Sequence, residues 1–138
     1  MFKYNRDIER RQELLGLPAE TVEYDFEKRT GWFGGTYCID NVNVRLLKQL
    51  LDEKFIDPNE NQNYSPNTLE FYDFLKKHPN FTVFGYAVSS DRDDYRVTIE
   101  GITCKNVTSD KDLLDFSNMF HDADEFEVAK TYCRAWYD

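Results

Sequence analysis

His121, Asp122, Asp124 and Glu125 form the tightest run of metal-ligating residue types in this chain. Carboxylates with one imidazole would suit Mn or Mg, and Zn if more nitrogen arrived from elsewhere. The run lacks the glycine and the distal glutamate of a calcium hand, and it falls where a helix hands over to the next element. It therefore reads as a solvated turn, and no metal or cofactor is assigned. Cys38, Cys104 and Cys133 are a second candidate set. Were their strands neighbours, with His78 or His121 beside them, they could hold zinc or supply a Cys–His nucleophile. No Cys-x-x-Cys pair organises such a site, and each cysteine lies in an apolar-patterned run. They read as small buried hydrophobes of a reducing compartment, with no disulfide among them. Asp91, Asp93 and Asp94 sit in a polar connector too wet to tune a general acid or base. No serine-nucleophile elbow or His-Glu-x-x-His pair occurs, so no catalytic residue is assigned.

Three other groups suit binding better than catalysis. Trp32-Phe33-Gly34-Gly35-Thr36 puts two glycines inside an extended run, the signature of a bulge or of backbone brought close to a ligand. It is not a phosphate loop, since neither glycine fingerprint is present. Trp32, Gly34 and Gly35 are the candidate ligand-proximal residues. In the last segment, a strand would place Lys130, Tyr132, Arg134 and Trp136 on one face, interleaving cations with rings. Ser109 to Glu127 carries Asp110, Asp112, Asp115, Asp122, Asp124, Glu125 and Glu127 against the single base Lys111. Asp112, Asp115 and Asp122 are expected to be solvated and, with Tyr132, Arg134 and Trp136, to face a partner.

The elements that must position these groups are marked by period and punctuation. Asn5 to Leu15 reads as a short helix closed by Gly16, with Tyr4, Ile8 and Leu15 on its apolar side. Val22, Tyr24 and Phe26 alternate with Glu23, Asp25 and Glu27, so Thr21–Arg29 reads as a half-exposed strand. Thr30-Gly31 would turn it into a second strand, Trp32–Ile39. Asn41 to Phe55 has helical period through Val44, Leu47, Leu51 and Phe55. After the polar loop Asp57–Asn67, Ser65-Pro66 is placed as the start of another helix, with Leu69, Phe71 or Tyr72, and Leu75 inward. Phe81–Val88 and Tyr95–Cys104 flank Ser89–Asp94 as a hairpin whose first arm is apolar on both faces. Thr108-Ser109-Asp110 opens a helix. Asp124–Asp138 fits a strand or a helix, with strand preferred because His121–Asp124 already ends the preceding helix. The order α-ββ-αα-ββ-α-β predicts one α+β domain over residues 1–138, with an antiparallel sheet of about five strands packed against helices.

Charge and composition narrow the partners. The formal net charge is −9, which opposes phosphate backbones and anionic membrane surfaces. No apolar run is long enough to span a bilayer, and the charged start MFKYNRDIERRQELLG holds no signal-peptide core. A cytoplasmic protein is expected. Nine Tyr, eleven Phe and two Trp exceed what a core alone explains. The expected function is a small acidic interaction module, one version being an inhibitor or immunity-type protein that masks a basic partner such as a nuclease. The alternative is a small enzyme or ligand-binding protein with its site near Trp32–Thr36 and the C-terminal strand.

Overall fold

The central hairpin organises the fold. The computed structural model describes residues 1–138. In it β2 (Thr82–Val88) and β3 (Val97–Cys104) pair antiparallel, with Tyr86 opposite Thr98 and Val83 opposite Ile102. β1 (Thr36–Val42) adds to β2, and a second hairpin of β4 (Glu125–Val128) and β5 (Cys133–Trp136) adds to β3. The result is one five-stranded antiparallel sheet in the order β1-β2-β3-β5-β4. With four helices the chain is an α+β protein, as expected.

Each helix starts where a side chain can serve its free N–H groups. Asp7 caps α1 (Ile8–Leu15), Asn43 caps α2 (Val44–Asp52), and Ser109 caps α4 (Asp110–Phe120). α3 (Thr68–Lys77) begins with a reciprocal box, Asn67 accepting from the Glu70 N–H and Glu70 accepting from the Asn67 N–H. That box moves the cap from Ser65 to Asn67. Gly16 closes α1 at φ +66, and the Leu17 N–H reaches the Gln12 carbonyl. α2 is shorter than the Asn41–Phe55 expectation because Asn43 caps it and Glu53 ends it.

One face of the sheet carries the core. Val83 and Ala87 of β2, Val97, Ile99 and Ile102 of β3, and Cys133 and Ala135 of β5 are all buried there. Leu47 and Leu50 of α2, Phe71 and Leu75 of α3, and Phe116 and Phe120 of α4 join the same cluster. Phe71 stacks on Phe120 at 5.6 Å, and Phe116 stacks on Phe126 at 5.4 Å. Phe74 takes the inward place expected of Leu69, which is exposed.

Three expectations about strands change. Thr21–Arg29 is not a strand, because the Asp25 carboxylate accepts from the Glu27 and Lys28 N–H groups and curls the chain. Its neighbour therefore starts late, at Thr36, and pairs with β2 instead. Asp124–Asp138 is neither a helix nor a single strand but a hairpin turning at Ala129–Tyr132. Five strands remain because one was lost and one split. The third change concerns β2. Phe84 and Tyr86 point to the sheet's other face and are only half-buried, so β2 is covered on one side rather than two.

Val83→Asp should therefore cost more than about 3 kcal/mol, through an unpaired buried charge. Phe84→Asp should cost about 1 kcal/mol, since its carboxylate can reach water. Urea midpoints measure both, and equal losses would mean that the outer face is covered.

Candidate functional site

The site is built on a buried cation. Arg11 stands on the same stripe of α1 as Ile8 and Leu15, and the helix turns it fully into the interior. Its Nη1 donates to the Val88 carbonyl at 2.8 Å and its Nη2 to Glu20 at 3.0 Å. The guanidinium lies 4.8 Å from the Tyr95 ring centre and 5.7 Å from that of Trp32. Burial pulls its pKa below the ordinary value, with Tyr95 and Glu20 opposing. Glu20 also accepts from the Ser90 N–H and hydroxyl. One charge pair thus ties α1, the segment after it and the β2–β3 connection together.

That tie positions residues 21–35, which fold back on themselves. The Trp32 N–H donates to the Val22 carbonyl, the Tyr24 N–H to Trp32, and the Asp25 N–H to Thr30. Gly31 is at φ +115, and a Cβ there would lie 2.4 Å from the Glu23 carbonyl oxygen. Gly35, at φ +78, faces the Arg92 side chain, whose Cδ would sit 2.7 Å from a Cβ. Arg92 donates to the Gly34 carbonyl and is clamped by both Asp94 oxygens at 2.9 and 2.8 Å. The close approach that the paired glycines implied is made by the chain's own hairpin tip.

Folding back leaves three rings outside. Tyr24, Phe26 and Phe33 meet edge to face with centroids 4.9 to 6.2 Å apart. Phe26 is 75% and Phe33 61% exposed. With Trp32, Gly34 and Gly35 they line a cleft of about 730 Å³ whose remaining wall includes Glu20, Glu23 and Asp91. Glu20 is neutralised by Arg11. Asp91 accepts only from the Ser89 hydroxyl, and Glu23 and Asp91 have no cationic partner. Ring faces beside unpaired carboxylates can bind an ammonium or guanidinium group.

The other candidate residues lie elsewhere. Arg134 and Trp136 of β5 stand on the outer face of the sheet, and Tyr132 lies in the turn before them. They share a smaller cleft of about 330 Å³ with Cys38, Phe84 and Glu100. Arg134 lies over the Phe84 ring at 5.1 Å and pairs with Glu125 at 2.7 Å. Burial lifts the Glu100 carboxyl above its ordinary range. Lys130 falls in the turn, outside this group.

Of the row expected to be solvated, Asp122 is exposed, Asp115 is half-buried and Asp112 is buried. Asp112 is buried, accepting from Asn80 at 3.1 Å and meeting His78 Nδ1 at 2.7 Å. Asp115 meets the other ring nitrogen of His78 at 2.9 Å and also binds Lys111. Asp122 accepts from the buried Tyr137 hydroxyl. Asp112 and Asp115 hold α4 against His78, and Asp122 holds the last residues through Tyr137. The metal-like run disperses as well, with His121 on the Ser117 and Asn118 carbonyls, Asp124 on the Asp138 N–H, and Glu125 on Arg134. Cys104 and Cys133 face each other in register and are buried, which pushes the Cys133 thiol up to about 12. Cys38, expected inside, is exposed on the edge strand.

Comparison with family models, curated proteins and solved structures finds no match.

The sequence pointed to the Trp32–Thr36 run, Phe33 included, but not to Tyr24, Phe26, Glu23 or Asp91. The missed signal was the same alternation that suggested a strand. Asp112 yields a pH test. Burial works to raise its pKa, but donors from His78, Asn80 and the Thr108 backbone outweigh it and leave the value below the ordinary one. A depressed carboxylate stabilises above the unfolded pKa of about 3.9 and loses that contribution as pH falls through the folded value. Asp112→Ala should cost about 2–3 kcal/mol at pH 7, by stranding His78 and Asn80. The gap in urea midpoint between variant and parent should then narrow as pH is lowered through the folded pKa. A gap that stays constant across the whole acid limb of the series would contradict this.

Proposed function

We propose that the chain is a non-enzymatic protein-binding module that masks a basic partner with acidic and aromatic surface, in the manner of an inhibitor or immunity-type protein. The observation that carries this reading is the exposed Tyr24–Phe26–Phe33 cluster beside the unpaired carboxylates of Glu23 and Asp91. Rings left in water gain free energy when covered, at about 25 cal/mol per Å² of apolar area. A lysine or arginine laid across them adds about 0.5–2 kcal/mol through cation–π attraction. The net charge of −9 would steer a basic protein toward the surface. A cytosolic setting, which keeps thiols reduced, agrees with three free cysteines. The interface of this reading is centred on residues 21–35, with Tyr132, Arg134 and Trp136 as a neighbouring contact area and the Asp112, Asp115 and Asp122 row contributing field rather than contact.

A ligand-binding reading takes second place. The specific support for it is the outer-face cleft, where Arg134, Glu100 and Trp136 converge. It differs from the leading reading in needing a small molecule rather than a protein to protect Trp136.

The test is capture from native lysate beside a Phe26→Ala/Phe33→Ala control, followed by stopped-flow kinetics with the recovered protein. Association should fall steeply with salt, and Glu23→Lys/Asp91→Lys should slow it about tenfold. Phe26→Ala should speed dissociation about tenfold by removing a packed ring. All of these residues are exposed, and Asp91 is held by one hydroxyl, so stability should change by about 0.5 kcal/mol or less. Association that ignores salt, with unchanged rates for the charge variant, would remove the reading.

A further inference from the structure

We propose that β4 is a docking edge, on which an extended cationic segment of another protein adds as a sixth strand, antiparallel to Glu125–Val128. β4 ends the sheet on the side away from β1 and the 21–35 cleft, so the two surfaces can be tested separately. The turn that makes β4 decides which backbone groups it offers. Ala129 and Tyr132 exchange both N–H···O=C bonds, at 2.7 and 3.4 Å, and are therefore a hydrogen-bonded pair. Bonded and non-bonded pairs alternate along an antiparallel ladder. Val128 stands opposite Cys133 and Glu127 opposite Arg134, so Glu127 and Glu125 commit their backbone groups to β5. Phe126 and Val128 turn theirs outward, and no backbone bond from the rest of the chain reaches them. No isolated bridge closes this edge, its register is unbroken, and all four residues are exposed.

The side chains along the edge set the pattern of what can join it. Phe126 and Val128 lie on the core side, 37% and 44% exposed, and Phe126 reaches in to stack on Phe116. Their open halves are apolar area that an added strand would cover. Glu125 and Glu127 lie on the outer side, opposite Trp136 and Arg134. Arg134 pairs with Glu125 at 2.7 Å, and no ion pair takes up Glu127. Lys130 lies past the strand, in the turn. Residues directly opposite one another share a face of the sheet. The incoming strand therefore needs apolar residues opposite Phe126 and Val128, and a lysine or arginine opposite Glu127. A second copy of this chain is refused by the same residue. Two β4 strands joined antiparallel through Phe126 and Val128 would set Glu127 against its own counterpart, and like charges directly opposite destabilise. The glutamates guard the edge against copies and select a cation.

The probe is a blocked peptide of about six residues alternating valine and lysine, titrated into the labelled protein with amide resonances as readout. The Phe126 and Val128 amides should shift and exchange more slowly, while those of residues 21–35 stay unchanged. Methylating the valine nitrogens, which face β4, should weaken binding at least about tenfold, and methylating the lysine nitrogens should leave it intact. Val128→Pro removes an outward N–H but no bond to β5, and it should give the same loss with an unchanged urea midpoint. Glu127→Gln should weaken binding about threefold. Equal binding by both methylated peptides overturns strand addition, and loss with methylated lysines alone overturns its antiparallel sense. Full-strength binding by Glu127→Gln overturns the selection for a cation. Shifts confined to residues 21–35 overturn the edge and leave the cleft standing. No binding of the parent peptide overturns the proposal, whatever the partner kinetics show. A peptide-independent dimer with protected Phe126 and Val128 amides overturns it in favour of a second copy.

Discussion

The fold around the candidate site depends on one buried charge. Arg11 has no water to solvate it, so its guanidinium must be satisfied by Glu20, the Val88 carbonyl and the faces of Tyr95 and Trp32. A buried ion pair contributes little net stability, but removing one partner strands the other and costs about 3–5 kcal/mol. The pair therefore acts as a registration device. α1 can dock in only the orientation that brings Glu20 under Ser90, and that fixes where the chain leaves for residues 21–35. The β2–β3 tip is fixed by the same contact and then closes on Gly34 and Gly35 through Arg92. Tyr24, Phe26 and Phe33 stand outside because everything beneath them is already committed.

The sheet divides its labour along the same line. Its inner face packs on a dry aromatic layer of Phe71, Phe116 and Phe120, with the partly exposed Phe126 stacked at its margin. The outer face mixes half-buried rings with charge, as in Phe84 beneath Arg134. A bulge permits this at β3, where Phe84 stands opposite Gly101 and Gly85 opposite Ile99, leaving Glu100 as the extra residue. Gly101 has no side chain because the Phe84 ring occupies that space, 2.2 Å from where a Cβ would lie. The two edge strands differ in kind. β4 is short and carries Glu125 and Glu127, a guarded end, whereas β1 carries the exposed Cys38.

Much of this architecture was legible because local and tertiary demands agreed. The central hairpin, the Gly16 stop and the Ser109 cap are written in residues whose local preference matches their place. Reading failed where the same residue pattern served two ends. Val22, Tyr24 and Phe26 alternate as a strand does, yet Asp25 binds its own backbone and the rings are held apart from any sheet. Arg11 falls on the Tyr4, Ile8 and Leu15 stripe of α1, so its place was marked by the period, but a cation flanked by charges reads as solvated. The acids of Ser109–Glu127 looked free because their partners, His78, Asn80 and Tyr137, are remote in the chain. Charge pairing across long separations leaves no periodic trace, so it is the part of a site that a sequence hides best.

The placement of the thiols gives the molecule a chemical gauge of its own integrity. Cys104 and Cys133 lie side by side in the core, where burial keeps them protonated and out of reach, while Cys38 faces solvent. An alkylating reagent therefore meets one sulfur in the intact chain and three once the sheet has opened. The mass added by a brief exposure counts opened molecules directly, without a fluorophore. Because the sulfur that answers first sits on an edge strand, its adduct leaves the core pair untouched until β3 and β5 part.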